Sequence, residues 1–158
     1  LGLLGAASGQ FIDTCPINKF LSSNDYELDY NSMESLLNLI HLKTSTLFEI
    51  SFIGSYLMSG GNIENIDKIK KAVRFFGLAF QISDDFEDIK QDMNRNNEDQ
   101  KFNPNLVCKY GEQKIIQIYD KSVEQFKNIM KELSIYDIVF EEILDFLQKR
   151  IDDNKTKK

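Results

Sequence analysis

The chain has 158 residues, 42% of them hydrophobic, and a formal net charge of -6. That apolar share can fill a core and excludes wholesale disorder. The acidic balance argues against a general nucleic-acid binder, whose phosphate contacts need clustered Lys and Arg.

With 2 Pro, 8 Gly and no Trp, long uninterrupted stretches favour helices over a turn-rich β architecture. Leu1 to about Thr14 reads as a helix, with Gly2, Gly5, Ala6 and Gly9 forming a small-residue face that lets a neighbour approach closely. Its character is already mid-helix at residue 1, so the chain is expected to be cut rather than begun. Pro16 ends the segment, and an acidic linker carrying Asp25, Glu27 and Asp29 runs through Tyr30. Asn31 with Glu34, or Ser32 with Ser35, can cap a long helix that runs to about Met58 and stops at Ser59-Gly60-Gly61. Asn62 can cap a second stretch that includes Ile69–Asp92, and Met93–Asn105, polar and containing Pro104, is a loop. A short helix is expected from Asn105 to Gly111, a long one over Glu112–Glu132, and a last one from the Ser134/Asp137 start to about Asp152. Asn154–Lys158 is a polar tail. The expectation is all-α, without internal repeats.

Cys15 and Cys108 lie far apart without a CxxC or a His cluster, which suits small core residues in a reducing compartment. No stretch reaches about 18 uninterrupted apolar residues, so no integral membrane segment is expected and the protein is read as soluble and cytoplasmic.

The sharpest chemical signal is Phe80-Gln81-Ile82-Ser83-Asp84-Asp85-Phe86-Glu87-Asp88. At about 100° per helical residue, Val73, Gly77, Gln81, Asp84 and Asp88 share one narrow face. The apolar stripe of Ile69, Val73 and Phe76 thus runs into two carboxylates one turn apart. Such acids either form a solvated helix face or point into the bundle, where they must be paired, protonated or metal-bound. Oxygen ligands without His or Cys suit Mg²⁺, which completes its shell with water and phosphate. A second signal is Lys43, whose face carries Leu36, Leu39, Ile40, Leu47, Ile50, Gly54 and Leu57. A lysine there either snorkels to solvent or meets an anion as a compact point charge. His41 lies off that face and reads as structural. Thr44 suits the core, a bond back to its own helix, or a ligand. Gln10 and Asp13, one turn apart, are by themselves an interhelical hydrogen-bonding pair.

In order, GQxxD (Gly9, Gln10, Asp13), KT (Lys43, Thr44) and GxxFQxxDDxxD (Gly77, Phe80, Gln81, Asp84, Asp85, Asp88) resemble the trans-isoprenyl diphosphate synthases, the farnesyl and geranylgeranyl diphosphate synthase family. The resemblance covers Leu1 to about Leu133. It implies an isoprenoid synthase-type helical bundle of which residues 1–152 are the C-terminal half, with 153–158 as tail. It implies prenyl transfer between an allylic diphosphate and isopentenyl diphosphate, with Mg²⁺ assisting diphosphate departure. Asp84, with Asp88, would hold Mg²⁺ on the allylic diphosphate, and Asp85 would act through water or from behind the ligands. Lys43 would contact the same diphosphate, with Thr44 beside it. Gln81 and Phe80 would line the reacting carbons, Gln10 and Asp13 would flank the cavity, and apolar helices would form a tunnel for the growing chain. Lys101 falls where the family has a further diphosphate-binding lysine, although Phe102 stands where Ser or Thr usually follows.

The family's first aspartate motif has no counterpart here, since Asp25–Asp29 lie in a linker and Asp152-Asp153 at the chain end. The chain is therefore expected to be inactive alone, as a truncation, the preferred reading, or as a subunit paired with a different chain that supplies that motif; a homodimer or such a hetero-oligomer is the expected assembly. A non-catalytic partner subunit and a class I terpene cyclase are the alternatives. The retained second motif counts against the first, and FQxxDDxxD in place of an Asn/Asp…Ser/Thr…Glu motif counts against the second.

Overall fold

The structure, a computed structural model, describes residues 5–14, 32–89 and 105–155. Cys15, Pro16, the acidic linker, the loop over 93–104 and Lys101 lie outside the described residues.

The described residues are helical and contain no strand, as expected. In chain order they form α1 (Ala6–Thr14), α2 (Met33–Ile40), a π-helical segment (His41–Ser45), α3 (Thr46–Met58), a 3₁₀ turn (Ile63–Asn65), α4 (Ile66–Glu87), α5 (Leu106–Tyr110), α6 (Glu112–Glu132) and α7 (Ile138–Asn154). Local chemistry sets most of the ends. Ser32 is the N-cap of α2, its hydroxyl accepting from the Ser35 N–H at 3.5 Å. Asn105 caps α5 through the Cys108 N–H at 3.0 Å, and half-buried Cys108 stands in that turn. The last helix begins at Asp137, whose carboxylate accepts from the N–H groups of Val139 and Phe140. Ser134, expected to open this helix with Asp137 three residues later, instead belongs to the connection and has a left-handed backbone, φ 57°. At the end of α3 the chain reverses at Gly60 (φ 86°), where the Gly61 N–H reaches back to the Tyr56 carbonyl at 2.9 Å. A residue in that conformation favours glycine.

Helix α4 is the centre of the bundle, packed by α3, α6 and α7. It buries Ile69, Ala72, Val73, Phe76, Ala79, Ile82 and Phe86. The positions cover more than one stripe because neighbours surround it, whereas α6 buries a single one: Ile115, Tyr119, Ser122, Phe126 and Met130. An aromatic column fills the middle. Phe80 meets Phe48 edge-on with centroids 5.2 Å apart, Phe48 meets Phe76 at 5.0 Å, and Phe76 meets Phe126 at 5.3 Å. Such pairs contribute about 0.5–1.5 kcal/mol each beyond their area burial.

The long helix expected to run unbroken to Met58 contains a five-residue π segment, and this changes which residues face inward. A π turn takes an extra residue, so everything beyond it is rotated by about 100° relative to a continuous α-helix. Leu36, Leu39 and Ile40 are buried, but Leu47 and Ile50 are 51% and 52% exposed, and Phe48 and Phe52 pack against the core in their place. The apolar stripe through Lys43 is therefore two half-stripes on different sides.

The π segment is gripped by two glycines. A Cβ on Gly9 of α1 would overlap the backbone of Lys43 and Leu42. A Cβ on Gly77 of α4 would overlap the Ser45 side chain and come within 2.9 Å of its Cα. Gly9 of the small-residue face of α1 thus serves the close approach expected of it, and the backbone that carries Lys43 and Thr44 is pressed against α4.

His41 heads this segment, and its Nδ1 is buried without a hydrogen-bond partner among the described residues. Burial, and then the charge of Arg74, lower its pKa, with Glu49 opposing. A histidine held neutral contributes stability that is complete above its unfolded value of about 6.5 and is lost as pH falls through the folded value. His41 is the chain's only histidine. We expect the urea midpoint of the wild type to drop between pH 7.5 and 5.5, and that of His41→Asn to drop less. Equal acid sensitivity in both proteins would contradict this assignment.

Candidate active site

The KT and FQxxDDxxD segments meet through one chain of hydrogen bonds. The Thr44 hydroxyl donates to Gln81 Oε1 at 3.0 Å, and Gln81 Nε2 donates to Asp85 Oδ1 at 3.0 Å. The backbone N–H of Leu106 donates to Asp85 Oδ2 at 2.8 Å, and Asn105 Nδ2 donates to the Asp85 carbonyl at 2.8 Å. Thr44 therefore neither fills the core passively nor bonds back to its own helix. That last role belongs to Thr46, which donates to the Leu42 carbonyl at 2.7 Å.

The burial of the acids differs from the helical-wheel expectation. Asp85 is the buried one, 6% exposed, while Asp84 is half-buried and Asp88 exposed. The reason is α5. Its first turn presents the Leu106 N–H to the Asp85 carboxylate, which with the Gln81 amide offsets the cost of leaving water, while the Asn105 amide holds the Asp85 main-chain carbonyl. Periodicity within α4 cannot reveal a donor from another helix.

Asp84 projects beside Lys43 and Arg150. Burial raises its pKa, and the charge of Asp88 adds to this. The hydrogen bond and charge of Arg150, and then the charge of Lys43, act in the opposite direction. Arg150 Nη2 lies 2.8 Å from Asp84 Oδ1 and also contacts the carboxylate of Glu87. Lys43 is half-buried on the π segment. Phe80 and Gln81, both half-buried, lie one turn before Asp84, Phe80 against Phe48 and Gln81 against Thr44. Gln10 lies exposed on α1; Asp13 belongs to the same helix, its side chain being outside the described part. The motif side chains thus range from buried (Thr44, Asp85) through half-buried (Lys43, Phe80, Gln81, Asp84) to exposed (Gln10, Asp88). A cavity of about 610 Å³ is lined by Glu34, Asn38, His41, Ser45, Arg74 and Phe75 among others, and by none of Lys43, Thr44, Phe80, Gln81 or Asp84.

Arg150 is the participant that sequence reading missed. Its only local signal is an arginine flanking the stripe Leu144, Leu147 and Ile151, and its partners lie more than 60 residues earlier. The geometry also permits a test of fit for a divalent ion. Asp84 already accepts a cation at 2.8 Å, Asp88 is one turn away, and the last turn of α4 holds acids but no basic residue. Oxygen donors at the negative end of a helix suit a hard cation. Among the described residues no three His, Cys, Asp or Glu side chains converge to enclose one, so phosphate and water oxygens would have to complete its shell.

The all-helical bundle thus brings the charges of Lys43, Arg150 and Asp88 to bear on Asp84. The profile of the Polyprenyl synthetase family matches residues 3–103, and the chain belongs to that family. Residues matched to a trans-prenyltransferase of African swine fever virus (isolate Pig/Kenya/KEN-50/1950) are 33% identical over 101 positions, covering 64% of this chain and 29% of the viral protein. The chain is also similar to two proteins of Arabidopsis thaliana. Chloroplastic geranylgeranyl pyrophosphate synthase 11 is 35% identical over 92 residues, covering 58% of this chain and 24% of that protein. Chloroplastic geranylgeranyl pyrophosphate synthase 3 is 37% identical over 90 residues, covering 56% and 23%. The chain thus spans less than a third of the length of the relatives it matches. Among the described residues no helix is long and apolar enough to cross a membrane.

Proposed function

We propose that this chain forms the allylic-diphosphate side of a prenyl diphosphate synthase, with Asp84 and Asp88 holding Mg²⁺ and Lys43 facing the same diphosphate. The observation that carries this reading is the nearness of Lys43 and Asp88 to Asp84. Lys43 is close enough for its charge to act on Asp84, on a backbone that Gly9 and Gly77 pin against α4. When bound, the metal would neutralise charge on the departing diphosphate. Everything else is supplied by the protein. Lys43 places a fixed positive charge on the leaving group, which is worth more in a preorganised site than in water. Thr44 fixes the Gln81 amide, and Asp85 holds that amide from the other side, so Gln81 presents one orientation to the reacting carbons. Phe80 offers an aromatic wall against which an allylic cation is stabilised and shielded from water. Asp85 is thus a positioning residue, and its carboxylate oxygens are already engaged. Gln10 flanks the site from α1, and Lys101 is a second candidate for the diphosphate.

The co-substrate in this reading is isopentenyl diphosphate, whose basic site and whose facing aspartate motif come from outside residues 1–158. Leu47 and Ile50, exposed one and two turns past Lys43, offer apolar surface for that segment, whether it belongs to the same polypeptide or to a partner.

The test is Mg²⁺-dependent binding of a non-hydrolysable allylic thiodiphosphate, followed by calorimetry. Asp84→Ala is expected to weaken binding by more than about tenfold and to erase the Mg²⁺ dependence. Binding that ignores Mg²⁺, or that survives Asp84→Ala unchanged, would sink the reading.

A further inference from the structure

We propose that Arg150 competes with the divalent ion for Asp84, acting as a built-in cation that must release this carboxylate before metal can be held there. The inference rests on Asp84 being a metal ligand. Its own support comes from α7.

The guanidinium occupies Asp84 Oδ1 at 2.8 Å and contacts Glu87 as well. A divalent ion bound to Asp84 would stand about 2.1 Å from a carboxylate oxygen. Two cations that close on one carboxylate repel each other, so they exclude one another in proportion to how firmly each is held.

Arg150 is held firmly. Leu147 and Ile151, on either side of it, are 1% and 0% exposed. The Ser83 hydroxyl, next to Asp84 in sequence, donates to the Leu147 carbonyl at 3.2 Å and ties the two helices together beside the pair. The guanidinium carbon lies 5.7 Å from the Phe146 ring centroid, and the Arg150 side chain is only 21% exposed. The site in turn calls for a cation. The last turn of α4 and its cap bring Asp84, Glu87 and Asp88 to the negative end of the helix with no basic residue among them. Acids placed there are destabilised by the helix dipole and by one another. Arg150 supplies the missing charge from a helix beyond residues 3–103, the segment that matches the family.

Mn²⁺ serves as the probe, its free concentration read by electron paramagnetic resonance in titrations of the full chain. Arg150→Gln is expected to bind Mn²⁺ about three- to tenfold more tightly than wild type, as loss of one half-exposed ion pair would give. The gain should vanish when Asp84→Asn is added. Lys149→Gln removes the same charge from the neighbouring exposed position and should leave affinity near wild type. Arg150→Lys, a shorter single-point donor, should fall between wild type and Arg150→Gln, and it carries the test if the glutamine variant loses its helical circular dichroism. Asp84-dependent Mn²⁺ binding in wild type that Arg150→Gln and Arg150→Lys leave equal or weaker would overturn the Arg150 proposal alone. An equal gain from Lys149→Gln would overturn it too, by showing an effect of bulk charge. Absence of Asp84-dependent binding in every form would remove the metal reading, and this proposal with it.

Discussion

Asp85→Ala is expected to cost about 3 kcal/mol of folding stability, far more than Asp84→Ala, although the two aspartates are adjacent in one motif. Asp85 is 6% exposed and accepts from the Leu106 N–H and the Gln81 amide, at 2.8 and 3.0 Å. Its removal leaves the buried Leu106 N–H and the half-buried Gln81 amide without this acceptor, at about 1–3 kcal/mol for each group that water cannot reach. It also removes the carboxylate's bond to α5, leaving the Asn105 amide on the Asp85 main-chain carbonyl. Asp84 is 31% exposed and pairs directly with Arg150 in partly solvated surroundings, where a pair contributes little to stability. Urea unfolding followed by circular dichroism measures both. A loss below about 1 kcal/mol for Asp85→Ala would mean that water replaces the missing carboxylate and that α5 docks without it. In the binding assay the order should reverse, Asp84→Ala abolishing Mg²⁺ dependence through chemistry and leaving the fold intact.

The second large effect concerns the glycines against the π segment. Alanine is a better helix former than glycine by about 1 kcal/mol, so Gly→Ala in a helix ordinarily stabilises. Gly54 of α3 has nothing within 4 Å of a built Cβ, and Gly54→Ala should raise stability by up to that amount. Gly77→Ala should do the reverse, because the new methyl meets Ser45, including its Cα at 2.9 Å. Overpacking of this kind costs about 1–3 kcal/mol, which outweighs the gain in propensity. Separating α4 from the π segment would also stretch the Thr44–Gln81 hydrogen bond, so Gly77→Ala should weaken diphosphate binding. Paired urea midpoints for the two variants give the test: the same sign at both positions would show that the helices have room to part.

The ends of α5 and α6 show how far local chemistry reaches. Asn105, Gly111 and Glu112 mark the ends of those helices by capping and turn preference, and the structure has α5 at Leu106–Tyr110 and α6 at Glu112–Glu132. Where the reading of side-chain direction failed, a neighbour was responsible. The unbroken wheel through Lys43 missed a π segment that is clamped by α1 and α4, and the wheel of α4 missed the donors that draw Asp85 inward.

The amino-acid sequence by itself determined the all-helical class, the stop at Gly60, the start at Asn105, a cap for α2 at Asn31 or Ser32, a cap at Asn62 that serves the 3₁₀ turn before α4, and the order of three motifs whose family the profile match at residues 3–103 bears out. These are properties of residues within a few positions of each other, set by backbone propensity and short-range hydrogen bonding. Tertiary structure alone decided that Thr44 bonds Gln81, that Asp85 is buried while Asp84 stays half-open, and that Arg150 stands over the aspartates. Each joins residues 20 or more apart in sequence. The reason is physical: a buried charge goes where a partner can satisfy it, and that partner is chosen by how helices pack, which no single helix encodes.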